Sequence, residues 1–350
     1  MEQKKTIRIN FVDYWPGFPA FLEQFKDQPD EFPPLRILKK HFNVIICDDA
    51  DYVFFSSYKE SHWTVPDSAI KIYHTVENLA PDFNACDYAI GFEWMEYEDR
   101  YIRIPNYMFY SHGILEKMRH KHEVGEGWDY RAEKKDFCSF VVSNPLNPRR
   151  AEVFDALSRY KRVDSGGRFL NNIGGPVEDK LAFQSTHKFS ICFENGSHNG
   201  YTTEKLMAAF AARTVPIYWG DPEVNRVFNP KSFINASDYA SLDDLVEEIR
   251  QIDNDDQRYL SMIREPAMLP SAPTIDEELG RFEKWLVPIF ERPIQESYRR
   301  NREMHGRWYI DRRQVLALQK SRSEILLKSI LYKQIAGIER IISRFGRRKQ

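Results

Sequence analysis

The stretch FSICFENGSHNGYTTEKLMAAFAARTVPIYWG, Phe189 to Gly220, decides how this chain is read. An apolar, aromatic run passes through a loop with two glycines into helix formers, then returns as VPIYW. That is strand, loop, helix and strand, the unit from which parallel sheets are built. Ligands bind such proteins at the carboxyl ends of the strands, where this chain places GYTTEK, residues 200–205. Gly196 and Gly200 allow a tight backbone path, and Thr202 is the expected N-cap. Glu204 and Lys205 then fall in the first turn, where free N–H groups and the helix dipole favour an anion. Lys205 adds a formal charge. Glu204 cannot hold a phosphate, but a carboxylate beside an anion site suits ribose or sugar hydroxyls. The pair points to a nucleotide-sugar, although Glu and Lys early in a helix are also ordinary surface residues.

Outward from this stretch the same alternation recurs. In the second half FCSFVVS (137–143), KRVDSGG, KFSICFE, TVPIYWG and KSFINAS read as strands. RRAEVFDALSRY, VEDKLAFQSTH, TEKLMAAFAAR and LDDLVEEIRQI read as the helices between them. The first half repeats the pattern, with TIRINFV (6–12), NVIIC, YVFFS, AIKIYHT and DYAIGF as strands and PAFLEQF and LRILKKHF as helices. Between them SHGILEKMRHKHEVGEGWDYRAEKK is charged and without a clear apolar period, and reads as a linker or excursion. The expectation is an α/β protein of two doubly wound domains facing a cleft, residues 1–135 and 136–290, followed by a helical tail, 291–350. No internal repeat is visible.

With 350 residues, 42% of them hydrophobic, the chain can build two cores. It has no apolar run long enough to span a bilayer, and MEQKKTIRIN lacks the core of a signal peptide. A cytoplasmic location is expected. Cys47, Cys86, Cys138 and Cys192 are scattered singly in apolar runs, which suits buried thiols in a reducing compartment better than zinc or disulfides. The net charge of −2 hides an asymmetry: residues 312–350 hold eleven Lys and Arg against Glu324 and Glu339, a net of +9, leaving −11 for residues 1–311. From Leu327 onward, Leu331, Ile335, Ile338, Ile342 and Phe345 recur at spacings of three and four among basic residues. This is a basic amphipathic helix, suited to an anionic membrane surface or to packing on protein or a second chain. A nucleic-acid function is disfavoured, because the body is acidic and its aromatics do not interleave with basic residues. Oligomeric state is not assigned.

The stretch FENGSHNGYTTEKLMAAFAARTVPIYWGDPEVNRVFNPKSFINASD closely resembles the signature of the α-1,3-fucosyltransferases, the family that moves fucose from GDP-fucose to N-acetylglucosamine in glycans. F-E-N, G-Y-x-T-E-K, P-I-Y-W-G and N-P-x-S-F-I stand in order and at family spacing. The resemblance extends through SNPLNPRRAEVFDALSRYKRVDSGGRFLNN to YHTVENLAPDFNACDYAIGFEWMEYEDRYIRIP and covers most of residues 70–245. It implies a GT-B fold, two facing Rossmann-like domains, with the donor in the second, and a basic tail of the kind that bacterial members often carry.

Carried over residue by residue, the resemblance makes Glu77, in HTVEN, the base that takes a proton from the acceptor hydroxyl. One base and no nucleophile implies single displacement with inversion, from GDP-β-L-fucose to an α-1,3- or α-1,4-fucoside of a β-galactosyl-N-acetylglucosamine glycan, a Lewis-antigen-like product. Glu93, Glu96 and Glu98 are rival bases in a run that reads as a solvated acidic loop. Arg150 and Lys205 match the diphosphate-binding positions, with Arg149 a register rival of Arg150. Asn195 and Tyr201 match donor-binding positions, Glu204 lies against ribose or fucose, Arg168 is a weaker nucleotide candidate, and His198 is either a donor contact or merely exposed. Asp49 and Asp51 have the D-x-D spacing of metal-dependent transferases but sit in the wrong domain. Histidines 112, 120 and 122 lack metal-ligand context. No metal or other cofactor is expected. The alternatives are a GT-B enzyme using another nucleotide-sugar and, less well supported, a nucleic-acid-binding protein.

Overall fold

A computed structural model describes residues 4–24, 32–110, 112–125 and 127–323. The first sheet contains β1 (Thr6–Val12), β2 (Asn43–Ile46), β3 (Tyr52–Phe55), β4 (Ile70–His74), β5 (Tyr88–Gly91) and β6 (Tyr101–Arg103). All are parallel, in the order β2-β1-β3-β4-β5-β6. The second contains β7 (Asp136–Phe140), β8 (Val163–Ser165), β9 (His187–Phe193), β10 (Val215–Trp219) and β11 (Ile234–Asn235), also parallel, in the order β11-β10-β9-β7-β8. Central strands such as IKIYH, YAIG and HKFSICF are buried along their whole length. That is why they read as continuous apolar runs rather than alternations.

Helices α1 (Phe18–Gln24) and α2 (Pro33–His41) belong to the first sheet. Helices α5 (Pro148–Tyr160), α6 (Lys180–Ser185), α7 (Glu204–Ala211), α8 (Leu242–Asn254) and α9 (Asp256–Arg264) cover the second. The segment read as a linker is structured. It forms α3 (His112–Arg119) and α4 (Tyr130–Glu133). Leu115 and Met118 of α3 are buried in the same core as Leu206, Met207 and Phe210 of α7. Three apolar residues, Ile114, Leu115 and Met118, on an eight-residue helix are too few to show a period, so only the packing reveals it. Strand β6 escaped the sequence reading because its three residues are too short a run to stand out.

The chain then returns to the first sheet. Helix α10 (Ile275–Glu291) packs against α2, and its Phe290 lies 4.3 Å from the Tyr52 ring and 6.3 Å from Phe54. A further helix, α11 (304–323), covers the opposite face of that sheet, its Ala317 sharing a small core with Phe55, Trp63, Tyr73 and Ala89. Of the span 291–350 assigned to a tail, the described part therefore lies on the first domain. The amphipathic run from Leu327 lies outside the described residues. Among the described residues no helix is long and apolar enough to cross a membrane.

Asp87, fully buried, clamps the returning segment. Its carboxylate accepts the N–H groups of Arg299 (2.9 Å), Arg300 (3.0 Å) and Lys71 (2.9 Å) and the Arg300 Nε–H (2.9 Å). Removing one member of a buried pair strands the other charge, so Asp87→Ala should lower unfolding free energy by about 3–5 kcal/mol. Asp99, which binds the more exposed Arg299, should cost only about 1 kcal/mol on the same change. Urea unfolding of the two variants checks this ordering.

Candidate active site

The carboxyl ends of the two sheets face each other. In the second sheet the strand order reverses between β7 and β9, and the crevice at such a switch point is where α/β sheets bind ligands. Glu194, the first residue beyond β9, is fully buried there. Its carboxylate accepts the Thr203 N–H (2.8 Å), the Thr203 hydroxyl (2.7 and 2.9 Å) and the Lys205 ammonium (3.1 Å). The N-cap of α7 is Thr203 rather than the expected Thr202, and its hydroxyl is committed to Glu194 instead of a helix N–H. Thr202 bonds Asp221 at 3.1 Å.

Lys205 is also 3.6 Å from Glu204. Burial disfavours its charge, but Glu194 and Glu204 outweigh that and hold its pKa above the ordinary lysine value. Burial likewise opposes ionisation of Glu204, yet Lys205, Lys180 and hydrogen bonds from Thr203 and Tyr110 keep its carboxyl below the usual range. Arg150 is 1% exposed. It donates to the carbonyl of Phe193 at 3.1 and 2.8 Å, to that of Asn144 at 3.2 Å and to Asn195 Oδ1 at 2.8 Å. Asn147, the N-cap of α5, donates to the Glu194 carbonyl at 3.0 Å. The ends of β7 and β9 are thus stapled together with Arg150, Asn195, Glu204 and Lys205 in one cluster.

The first domain closes on this loop. Glu77, two residues beyond the buried Thr75, accepts the Tyr58 hydroxyl at 2.6 Å, and its own N–H bonds Thr75 Oγ1 at 3.1 Å. A Cβ on Gly196 would sit 2.9 Å from Asn78 Nδ2, so the loop carrying Glu77 lies directly across from the β9–α7 loop. Gly200, at φ +83°, would bring a Cβ within 2.3 Å of the Phe92 carbonyl, a position that only glycine fits. Asp221 holds the Gly200 N–H at 2.8 Å. Tyr201 is buried 5.1 Å from the Phe92 ring, and burial followed by the charges of Glu194 and Glu77 pushes its phenol up.

Glu93 departs from the solvated acidic loop expected of it. It is buried, accepts the Tyr101 hydroxyl at 3.2 Å and faces His198 at 3.8 Å across the domains. Glu96 and Glu98 are exposed as expected. Arg149 is exposed with its guanidinium 5.0 Å over Trp219, and Arg168 is exposed beyond β8. Asp49 and Asp51 pair with Arg8 at 2.8 and 2.9 Å at the entry to β3, the end of the sheet away from the cleft. His120 pairs with Glu123 at 2.7 Å. Among the described residues no cluster of three His, Cys, Asp or Glu side chains is placed to hold a metal. The sequence reading did not assign Glu194, Asp221, Tyr58 or Tyr110. Only Glu194 carried a signal, its place at a strand end ahead of the glycine loop; the others are joined to the site by folding alone.

Burial raises the Glu93 carboxyl pKa despite its hydrogen bonds and His198. Between the ordinary value and the raised one, the folded chain binds more protons than the unfolded chain, so stability falls as pH rises through that window. Glu93→Gln removes this contribution. The melting temperature of the variant relative to the original should therefore be more favourable at about pH 7 than at about pH 4, and thermal unfolding at both pH values tests the sign.

Two family models match the chain: the alpha-(1,3)-fucosyltransferase FucT N-terminal domain over residues 9–110 and the C-terminal part of glycosyltransferase family 10 over residues 131–264. An alpha-(1,3)-fucosyltransferase of Helicobacter pylori is 36% identical over 227 residues, 57% of this chain and 47% of that protein. A human 4-galactosyl-N-acetylglucosaminide 3-alpha-L-fucosyltransferase is 33% identical over 135 residues, 37% of each chain. The chain thus spans about half or less of these curated relatives. A crystal structure of an alpha1,3-fucosyltransferase with GDP-fucose superposes with a TM-score of 0.64 at 27% identity, covering 82% of this chain and 92% of that one. That likeness takes in both sheets and the cleft between them, a GT-B architecture, and the chain belongs to the fucosyltransferases of glycosyltransferase family 10.

Proposed function

We propose that this chain transfers L-fucose with inversion from GDP-β-L-fucose to an N-acetylglucosamine hydroxyl of a β-galactosyl-N-acetylglucosamine glycan. The observation that carries the reading is the opposition of Glu77 to the cluster of Glu194, Lys205 and Arg150 across the Asn78–Gly196 contact. Glu77 takes the proton of the acceptor hydroxyl as its oxygen bonds to the fucose anomeric carbon and the bond to the β-phosphate breaks. Charge then grows on GDP, where Lys205 and the guanidinium of Arg150 are already fixed and need no reorganisation. Arg150 acts mainly from behind, since its four hydrogen bonds to protein leave one Nη1–H for a ligand. Asn195, held by Arg150, and buried Tyr201 shape the donor pocket, and Glu204 offers a carboxylate to hydroxyls of ribose or fucose. The activities of the relatives and the GDP-fucose complex of the structural neighbour support this donor and acceptor.

In this reading the positive side chains do the work of a metal, and Asp49 and Asp51 are spent on Arg8. Glu77→Gln should retain GDP binding by calorimetry while turnover falls by roughly 10²–10⁴, and turnover of the original chain should persist in EDTA. Turnover near the original level in Glu77→Gln would remove it from the role.

We also propose a peripheral place at the cytoplasmic face of the membrane through residues beyond 323, on the strength of their basic amphipathic pattern. A chain ending at Ser323 should keep its kinetics on soluble acceptors and lose binding to anionic vesicles. The original chain should bind them less as salt rises. Equal vesicle binding by both chains would end this proposal.

A further inference from the structure

A cavity of about 1110 Å³ opens beside the cleft, between the β5–β6 loop, α10 and the segment after β10. It adjoins the reaction site through Glu93: Trp94 follows that residue, and Tyr101, which bonds the Glu93 carboxylate, lines the wall. Tyr97 and Trp285 present aromatic surface to it, and Trp94 lies in the wall. The guanidinium carbons of Arg103 and Arg226 lie 3.5 and 3.8 Å from the centre of the Trp94 ring, which places one on each face because two cations cannot share one face at that distance.

Arg103 is the unusual member. It is largely buried, its Nε–H has no acceptor, and among the described residues its side chain donates no hydrogen bond and has no carboxylate within 4.0 Å. Burial lowers its pKa, with Tyr107, Glu278 and Asp221 opposing only at longer range. Glu278 pairs instead with Arg281, and Arg226 with Glu223 at 3.3 Å. Lys284, exposed at the mouth, has no carboxylate within ion-pair distance among the described residues. A buried guanidinium without a counter-charge is costly unless an anion completes it, and a planar fork of this kind suits a carboxylate or phosphate. Aromatic walls with a few placed polar groups are what a sugar-sized ligand needs.

We propose that this cavity binds an acidic sugar residue, bearing a carboxylate or a phosphate, next to the residue that receives fucose. The assignment rests on the acceptor being a glycan. Glu96 and Glu98 at the rim line the same cavity and select against anions bound in any pose other than that set by Arg103.

The test compares three probes by calorimetry: β-galactosyl-N-acetylglucosamine, its galacturonosyl analogue and its 6-phosphogalactosyl analogue. The unmodified protein should bind at least one acidic probe about tenfold tighter than the neutral one, the preference falling as salt rises. The tighter of the two identifies the anion. Arg103→Gln should bring the ratio close to one, and Lys284→Gln, on an exposed side chain that cannot compromise folding, should reduce it several-fold. GDP affinity should be unchanged in both. Equal binding of the three probes, or a preference unchanged in both variants, overturns the proposal. Binding requires no turnover, so the two readings fail separately. A retained acidic preference without fucose transfer would sink the proposed function alone, and fucose transfer without the preference would sink the cavity assignment alone.

Discussion

The site depends on one buried carboxylate. Glu194 at the end of β9 is closed off from solvent, and Thr203 and Lys205 converge on its carboxylate. An isolated charge in that place would be prohibitive. The dependence is mutual, because Lys205 in turn keeps its proton against burial through Glu194 and Glu204. Arg150 completes the arrangement by gripping the Phe193 carbonyl one residue earlier and Asn195 one residue later. The start of α7 and the end of β9 therefore have one relative position, and positive charge is fixed where the proposed reaction would release a diphosphate.

The cleft opposite is set by packing rather than by a hinge. The larger core runs from Ile9, Phe54 and Ile72 of the first sheet through Leu115 and Met118 of α3 to Leu206 and Phe210 of α7. Lys121, just beyond α3, donates to the Met262 and Ile263 carbonyls at 2.9 and 3.1 Å, tying that end of the connection to α9. A continuous apolar interface of this kind limits relative motion of domains. It also explains the close approach of backbone to backbone at Gly200 and Phe92, and of Asn78 to Gly196.

The first domain brings two carboxylates to that cleft in different settings. Glu77 is half-buried and oriented by Tyr58 and Thr75. Glu93 is enclosed, held toward its neutral form by burial, and marks the boundary between the reaction cleft and the aromatic cavity. The more open of the two faces the β9–α7 loop.

The resemblance to the fucosyltransferases grouped Arg150, Asn195, Tyr201, Glu204 and Lys205, while the residue pattern by itself determined the two α/β series and the strand and helix order around GYTTEK. These are local facts: burial on both faces of a parallel sheet writes continuous apolar runs, and helix starts and glycine loops carry their own signals. What only the tertiary structure decided is everything that depends on distant segments meeting. Tyr58 reaches Glu77, Tyr110 reaches Glu204, Glu93 withdraws from solvent against His198, and Asp87 holds Arg300 more than two hundred residues away. The same is true of α3 and α11, whose apolar residues are too few or too interrupted to declare a buried face until the surface they cover is in place. A side chain's charge and size are written in sequence, but its solvation is a property of whatever folds against it.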